Sequence, residues 1–465
     1  MKKWLPLVFT AVLCAALPAF SVFAQDEKAD ISFFSFDLGL GLGVHGFFNE
    51  EYVPGAAEPE TLAYQYVGLQ PAFKFGKLDL AVDLNVHFRF NGGDEKDEFE
   101  VRKEDWKFDG SREFFDLYLP KIRHIRYGTK GEPFAMNLGD IDGITLGNGF
   151  IVSSYTNTLF QPENRVLGAV FNIDGSIVDI PYFGIDFFTG NAARFDLNAG
   201  RIYIHPLAGF EKSILKDLEV GGTIAVDRDP CYFVERYAMY DPALLAFSGD
   251  GNVVSIYGLD FNLPLVRHRL FTFTLFGDSA SQNNRYGLMG GIKGRIGGFL
   301  LYEAQASALE NNFIPEYFGA SYDLFRAEQY RYFDAGNSGL RLSEGADGYL
   351  ASLGLALFDD KIIIKAVSKG PQSESKGRLY DWQGSITLAE GLVPYFSFDI
   401  LYDKRSMATI SDFQDWKQNS MIRARVNYHS EPALLSLVYI LRHIPTAGGP
   451  DRQVTAGIEG RVRLY

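Results

Sequence analysis

Charged side chains occur at alternate positions of long apolar segments, where a packed core would normally exclude them. Arg423 and Arg425 alternate with Ile422, Ala424 and Val426. A period of two places every second side chain on the same face of a β-strand. Charges fixed on such a face can attract or repel ions and polar solutes, and this is the chemistry that the pattern predicts.

The same alternation gives a set of charges that we expect to face a water-filled lumen. The cations of this set are Arg89, Lys293, Arg295, Arg423, Arg425, Arg461 and Arg463. The anions are Asp79, Asp83, Asp399 and Glu459. We expect these residues to tune ion or solute selectivity, while some form cross-strand ion pairs that stiffen the wall. One of the arginines on the last predicted strand, Arg461 or Arg463, is expected to contact Asp37 on the first.

The remaining candidate residues predict no reaction. The chain has 7 histidines but no Ser/His/Asp motif and no histidine cluster, so we expect no enzyme, no cofactor and no metal site. The Asp- and Gly-rich stretch 139–152 lacks the ligand series of a calcium loop. Its glycines are compatible either with a loop, 140–164, folded into the lumen as a constriction or plug, or with an ordinary hairpin.

The segments that carry these charges are long enough to cross a membrane as strands. Segment 78–90 alternates strictly for about a dozen residues, whereas a soluble strand averages about 5–6 and a membrane-crossing strand needs about 9–11. Leu40, Leu84 and Ile458 fall on the apolar face, which we expect to touch lipid. A soluble sandwich would explain the alternation alone, but not the charges at mid-strand.

The connections predict the topology. Short turns such as Gly76-Lys77 and Gly297-Gly298 alternate with long loops, among them 91–116 and 310–346. Further turns are predicted at Pro264 to Arg269 and Glu390-Gly391, and short helices only at 209–217 and 241–247. We therefore predict an all-β fold, a transmembrane antiparallel up-and-down barrel of about 20 strands, with 16–20 plausible, short periplasmic turns and long extracellular loops.

Composition and the first residues narrow the function classes. The chain of 465 residues has a formal charge of −14, which argues against nucleic acid as a partner. Residues 1–24 form a predicted signal peptide: Lys2 and Lys3 precede an apolar run, and cleavage is expected after Ala24. Residues 25–465 are then one barrel domain, in which Cys231 is the only cysteine and no intrachain disulfide can form. The aromatic residues of loop 229–251 predict a membrane-interface girdle or an apolar mouth.

The C-terminal strand carries a resemblance to a known class. It ends in Tyr465, and outer-membrane barrels usually end in an aromatic residue that their assembly machinery recognises, although Val462 and Leu464 place the apolar face one step out of register. Together with the export signal, the chain resembles a bacterial outer-membrane β-barrel protein of the porin type, and we expect a spirochaete-like source.

The resemblance implies a location in the cell outer membrane. Its expected partners are membrane lipid, the assembly machinery through the strand that ends in Tyr465, and small hydrophilic solutes that diffuse through the lumen. The oligomeric state stays open. Two alternatives remain, a plugged transporter of hydrophobic substrates and a surface adhesin that uses loops 91–116 and 310–346.

Overall fold

A computed structural model describes most of the chain. The described residues are 34–48, 61–91, 98–108, 114–161, 165–180, 182–210, 214–232, 252–335, 340–373, 375–414, 419–430, 433–446 and 449–463. The predicted signal peptide, most of loop 229–251 and the terminal Tyr465 lie outside this set.

Twenty antiparallel strands form one closed wall. Their bounds are β1 Phe34–Phe48, β2 Thr61–Phe75, β3 Leu78–Val82 with Leu84–Asn91, β4 Glu98–Val101 with Ile122–Tyr127, β5 Phe134–Gly139, β6 Gly168–Asp174, β7 Phe183–Thr189, β8 Leu197–Ile204, β9 Glu219–Asp227, β10 Val254–His268, β11 Phe271–Gln282, β12 Arg285–Ile296, β13 Leu300–Leu309, β14 Ala346–Leu357, β15 Ile362–Pro371, β16 Tyr380–Val393, β17 Phe396–Met407, β18 Ser420–Ser430, β19 Ala433–Thr446 and β20 Gly449–Arg463. Each strand pairs with the next, and β1 pairs with β20, where Gly39 lies opposite Arg463.

The two faces of this wall differ as the sequence predicts. Leu42 and Ile458 lie on the outer face and are about half exposed. His45 lies on the opposite, inner face of β1 and is 5% exposed. Apolar side chains outside and polar side chains inside are the arrangement of a barrel with lipid around it and water within it. The predicted fold class and strand number are confirmed.

Within the described residues, the pairing of the wall is broken by an insert on the strand pair β3–β4. The main chain of β3 leaves the ladder at Asp83, whose N–H donates to the carbonyl of Lys121 at 2.7 Å. The described residues 102–108 and 114–121 form an insert between the two parts of β4, with the short helix α1 (Phe114–Tyr118) and the 3-10 turns Lys103–Asp105 and Leu119–Lys121. The insert therefore lies beside the middle of β3, where the N–H of Arg102 donates to the carbonyl of His87 and Trp106 Nε1 donates to that of Asn85.

The two ends of the barrel differ in their connections. The turn end carries the short connections and the first and last described residues; the loop end carries the long connections. Helix α2 (Tyr322–Ala335) follows β13 at the loop end, and 3-10 turns lie at Gly175–Val178 and Ile410–Gln414. Among the described residues, no helix is both long and apolar enough to cross a membrane.

Several local predictions were wrong. Strand β10 continues through Pro264, because a bulge between Pro264 and Val266 accommodates the missing N–H. Strand β16 likewise passes Glu390-Gly391 through an irregularity, with Gly391 at φ +89°, and the turn comes after Val393. The described part of 209–217 forms turns rather than a helix, and 241–247 lies outside the described residues. Helix α2, in turn, was not predicted.

Candidate functional site

Two segments between wall strands occupy part of the interior. We name residues 140–161, which follow β5, the inner loop, and residues 310–335, which follow β13 and include α2, the inner arm. Six aromatic side chains from the two segments are at most 3% exposed and pack against inward-facing side chains of β7 to β12. The inner members of this cluster are Phe150, Tyr155, Phe313, Tyr317, Phe318 and Tyr322, and the wall members include Phe188, Leu197, Ile256 and Phe276.

Main-chain hydrogen bonds join the inner loop to the inner arm. Two short strands, Val152–Ser153 and Phe318–Gly319, pair in parallel. The N–H of Phe318 donates to the carbonyl of Ile151 at 3.0 Å, and the N–H of Glu316 donates to that of Phe150 at 2.8 Å. The two segments therefore form one unit.

The tip of the inner loop is fixed to the wall by Asn148. Its Nδ2 donates to the carbonyl of Phe261 at 3.0 Å and to Asp278 Oδ2 at 2.9 Å, while Lys293 Nζ donates to its Oδ1 at 3.1 Å. Gly147 has φ +59°, and a Cβ there would lie 2.9 Å from an oxygen of Asp260. Glycine is favoured at this position because its φ lies in the left-handed region and the Asp260 carboxylate lies close to where a Cβ would be.

A buried charge cluster holds α2 against the wall. The side chain of Arg326 is 3% exposed, and its Nε donates to Asp227 at 2.5 Å and its Nη2 to Asp196 at 3.0 Å. Asp323, one turn earlier on the helix, lies 3.7 Å from the same guanidinium and accepts from Tyr155 Oη. The pKa of Asp323 is raised to about 7 because the carboxyl is buried, and the charge of Arg326 offsets only part of this increase.

On the side of β12 to β17, two adjoining cavities remain open. The upper cavity, of about 220 Å³, lies between α2 and the wall near the loop end; Phe325, Glu328 and Tyr332 line it from the helix. The lower cavity, of about 250 Å³, lies beside the tip of the inner loop; Lys293, Glu303, Lys365 and Trp382 line it from the wall.

The two cavities share a boundary, which we name the neck. The residues that line both cavities are Gln305, Glu316, Leu350, Lys369, Asp381 and Arg405. Lys369 forms an ion pair with Glu316 of the inner arm and lies 4.0 Å from Asp381. Arg405 Nε donates to Asp403 at 2.9 Å. Charged side chains of both signs therefore meet where the open space narrows.

Most of the predicted lumen charges have one identified partner. Arg89 pairs with Glu100 at 2.7 Å, Asp79 with His124 at 3.0 Å, Asp83 with Arg165 at 2.8 Å, and Arg295 with Asp360 at 3.0 Å near the turn end. Lys293 differs, since it forms no ion pair with a described residue within 4 Å and faces the lower cavity.

The arginines near the seam between β1 and β20 fall into two groups. Arg423 lies 3.2 Å from Asp142 of the inner loop and 3.9 Å from Asp399, and Arg425 lines a cavity of about 70 Å³ together with Glu459. Arg461 and Arg463 lie opposite Gly41 and Gly39 in the ladder. Their side chains lie outside the described set, so the expected contact with Asp37 stays a prediction.

The sequence reasoning missed a chain of titratable groups at this seam. His87 Nδ1 lies 2.7 Å from Asp105 of the insert, His87 Nε2 lies 3.0 Å from His45 Nδ1, and His45 Nε2 lies 3.5 Å from Glu459. The ring of Tyr66 stacks on His45 at 4.4 Å. The available signal was that both histidines occupy the polar face of alternating strands; which groups they meet depends on the strand register.

Metal binding and cysteine chemistry have no structural support within the described part of the chain. No three His, Cys, Asp or Glu side chains there are grouped so that they could hold a metal ion. Cys231 is buried at 2% exposure. Of loop 229–251, Tyr232 is described, and the guanidinium of Arg194 lies 4.6 Å from its ring centroid.

Solved structures similar to this chain are found, but no family model and no curated relative. No protein-family model and no curated protein matches the chain. Among solved structures it is similar to OccK9 (OpdG) of Pseudomonas aeruginosa, with 10% identity, 94% of this chain and 100% of that chain covered, and a TM-score of 0.35. It is also similar to OpdQ of the same organism, with 8% identity, 93% and 98% covered, and a TM-score of 0.36.

A third similar structure is CdiB from Acinetobacter baumannii, with 7% identity and a TM-score of 0.27. The match covers 92% of this chain and 60% of CdiB, so the chain spans less than two thirds of that protein. At these identities and TM-scores the likenesses carry no argument about function, which rests on the residues described above.

Proposed function

We propose that this chain is a channel of the cell outer membrane through which small hydrophilic solutes diffuse. The observation that carries the proposal is the pair of adjoining cavities, which share the lining residues of the neck, inside a barrel with an apolar outer surface. Such a surface is stable only in contact with lipid or another apolar body, since exposed apolar area costs about 25 cal/mol per Å². The charged and polar side chains that line the neck and the lower cavity offer a dissolved solute a route across that surface.

The proposed route runs off-centre, along β12 to β17. On the opposite side the inner loop and inner arm constrict the lumen, because their aromatic side chains are packed against the wall. A solute entering at the loop end would meet the upper cavity, then the ion pair of Lys369 with Glu316 at the neck, then the lysines of the lower cavity. Charges held in this confined space act on a solute more strongly than loop charges screened by salt.

Conductance of the mature chain in a planar lipid bilayer tests the proposal. In the variant Gln305→Cys, a positively charged thiol reagent should reduce the conductance, because Gln305 lines both cavities. Ala304→Cys is the matched control, since Ala304 is an exposed residue of β13 adjacent to Gln305 and absent from both cavity linings. The unmodified protein controls for the buried Cys231.

The reagent should leave the control variant and the unmodified protein unchanged. Equal inhibition of both cysteine variants would place the path elsewhere. Absence of any conductance in the unmodified protein would refute an open channel.

A plugged transporter of hydrophobic substrates is the second candidate. The apolar side chains of the upper cavity and the anchoring of α2 by Arg326 favour it. In that case the unmodified protein conducts no steady current, and conductance appears only when the anchor is removed. The adhesin alternative relies in part on loop 310–346. The inner arm belongs to this loop, and its side chains pack into the interior cluster.

A further inference from the structure

The upper cavity contains acceptors that the described protein leaves without donors. Glu328 lines the cavity from α2, is half-buried, and forms no ion pair or hydrogen bond with a described residue. Burial raises the pKa of its carboxyl, and the charge of Arg331 offsets only part of that effect. The Oε1 of Gln329, also in the lining, is buried with no hydrogen-bond partner. A buried acceptor without a donor is destabilising, and a ligand that donates to it recovers that cost.

The cations in the same lining are already engaged. Lys369 pairs with Glu316, and Arg405 pairs with Asp403. The guanidinium of Arg378 donates from all three nitrogens to main-chain carbonyls, those of Glu310, Phe313 and Glu344. A second carboxylate, Asp347, is exposed in the lining and has no ion pair with a described residue. The cavity therefore offers free acceptors and occupied donors, an imbalance that favours a positively charged ligand.

Much of the remaining lining is apolar, beside polar residues that include Gln305, Ser307 and Asp381. Met289, Leu309, Ile314, Phe325 and Tyr332 surround the space. The volume of about 220 Å³ equals that of roughly seven water molecules in the liquid, enough for a small ring or a short alkyl chain. Aromatic side chains next to a carboxylate suit an amine on a ring or chain, because the ring faces also attract cations.

We propose that the upper cavity binds a small organic cation, with its ammonium head at Glu328 and Gln329 Oε1 and its apolar stem among Met289, Leu309 and Phe325. The role of such binding, as the first station of a solute on its way to the neck, rests on the proposed channel function. The binding itself does not require an open channel, so the two can be tested separately.

Calorimetric titration of the detergent-solubilised mature chain with benzylammonium tests the binding. Benzoate and benzyl alcohol are shape-matched probes of opposite and zero charge, and titration into empty micelles gives the blank. We expect benzylammonium to bind at least tenfold more tightly than either, and Glu328→Gln to weaken it at least tenfold. Glu344→Gln, which removes an exposed carboxylate outside the cavity, should leave the affinity unchanged.

Three results would overturn the proposal. Equal affinity for benzyl alcohol would show a merely apolar cavity, tighter binding of benzoate would assign recognition to Arg378, and an unchanged affinity in Glu328→Gln would remove the assigned carboxylate. If Glu328→Gln fails to fold, as judged by heat-modifiable migration in gels, Gln329→Leu takes its place, with a several-fold weakening expected.

Conductance recorded on the same preparations separates the two proposals. Binding without conductance would refute the channel and support the cation site. Conductance without any heat of benzylammonium binding would refute the site and support the channel.

Discussion

Replacing Arg326 by methionine should release α2 from the wall while the barrel stays assembled. Methionine keeps most of the length and apolar contact of the side chain but leaves Asp196, Asp227 and Asp323 buried without their cation. Removing one partner of a buried ion pair costs about 3–5 kcal/mol. Since 1.36 kcal/mol is a factor of ten, the ratio of docked to undocked helix should fall by roughly two to nearly four orders of magnitude.

Hydrogen exchange followed by mass spectrometry measures this ratio directly, because amides of a locally opened segment exchange in proportion to its open population. Exchange of amides 322–335 should accelerate by that factor, while amides of β14 to β16 stay protected. Arg331→Met is the matched control on the same helix, since Arg331 is half-buried and forms no ion pair with a described residue. Equal exchange of α2 in both variants would refute the role assigned to the cluster, and so would loss of the whole barrel in the Arg326 variant.

Three further outcomes are expected. The pKa of Asp323 in the folded protein is about 7, above its ordinary 3.8, so its contribution to docking is complete below about pH 4 and is lost as the pH rises through 7. The amides of α2 should therefore exchange faster at pH 8 than at pH 5, after correction for the intrinsic pH dependence of exchange. In Asp323→Asn this difference should become smaller. Leu84→Arg places a charge on the lipid face and should cost roughly 2–4 kcal/mol in assembly, measured as folded yield on gels, whereas Arg425→Leu should assemble; equal effects would mean that the assignment of faces is wrong. Reversal potentials in a salt gradient should show a nearly neutral or mildly anion-preferring pore that shifts toward cations when Arg423, Arg425, Arg461 and Arg463 become glutamine; a strong cation preference of the unmodified protein would contradict this.

The wall was predictable because lipid and water impose opposite requirements on neighbouring residues. A β-strand that separates lipid from water must alternate apolar and polar residues with period two. The pattern around Leu84 and around Arg425 therefore assigns strands and faces without knowledge of the neighbouring strands. The Asp- and Gly-rich stretch around Gly147 also carried a local signal, because its glycines mark a close approach of backbone to another group.

Helix α2 was not predictable by the same reasoning. An amphipathic helix shows one apolar stripe, but α2 is enclosed on several sides, and its buried residues include Asp323 and Arg326 as well as Tyr330 and Phe333. Charged residues usually indicate the solvent-exposed face of a helix. In α2, Asp323 and Arg326 are instead buried in contacts with the wall. The chain of Asp105, His87 and His45 was not predicted for another reason: it depends on the strand register and on the 3-10 turn Lys103–Asp105, which brings Asp105 to His87.

The bridge between the inner loop and the inner arm has a consequence for how the molecule is assembled. The joined unit is tied to β9 through Arg326, to β17 through Ser321 and Asp403, and to β18 through Asp142 and Arg423. These anchor points lie on strands from both halves of the chain, and the wall around them closes where β1 pairs with β20. Enclosing the interior therefore depends on contacts between residues far apart in the sequence, the kind of contact that limits the rate at which a chain reaches its final form.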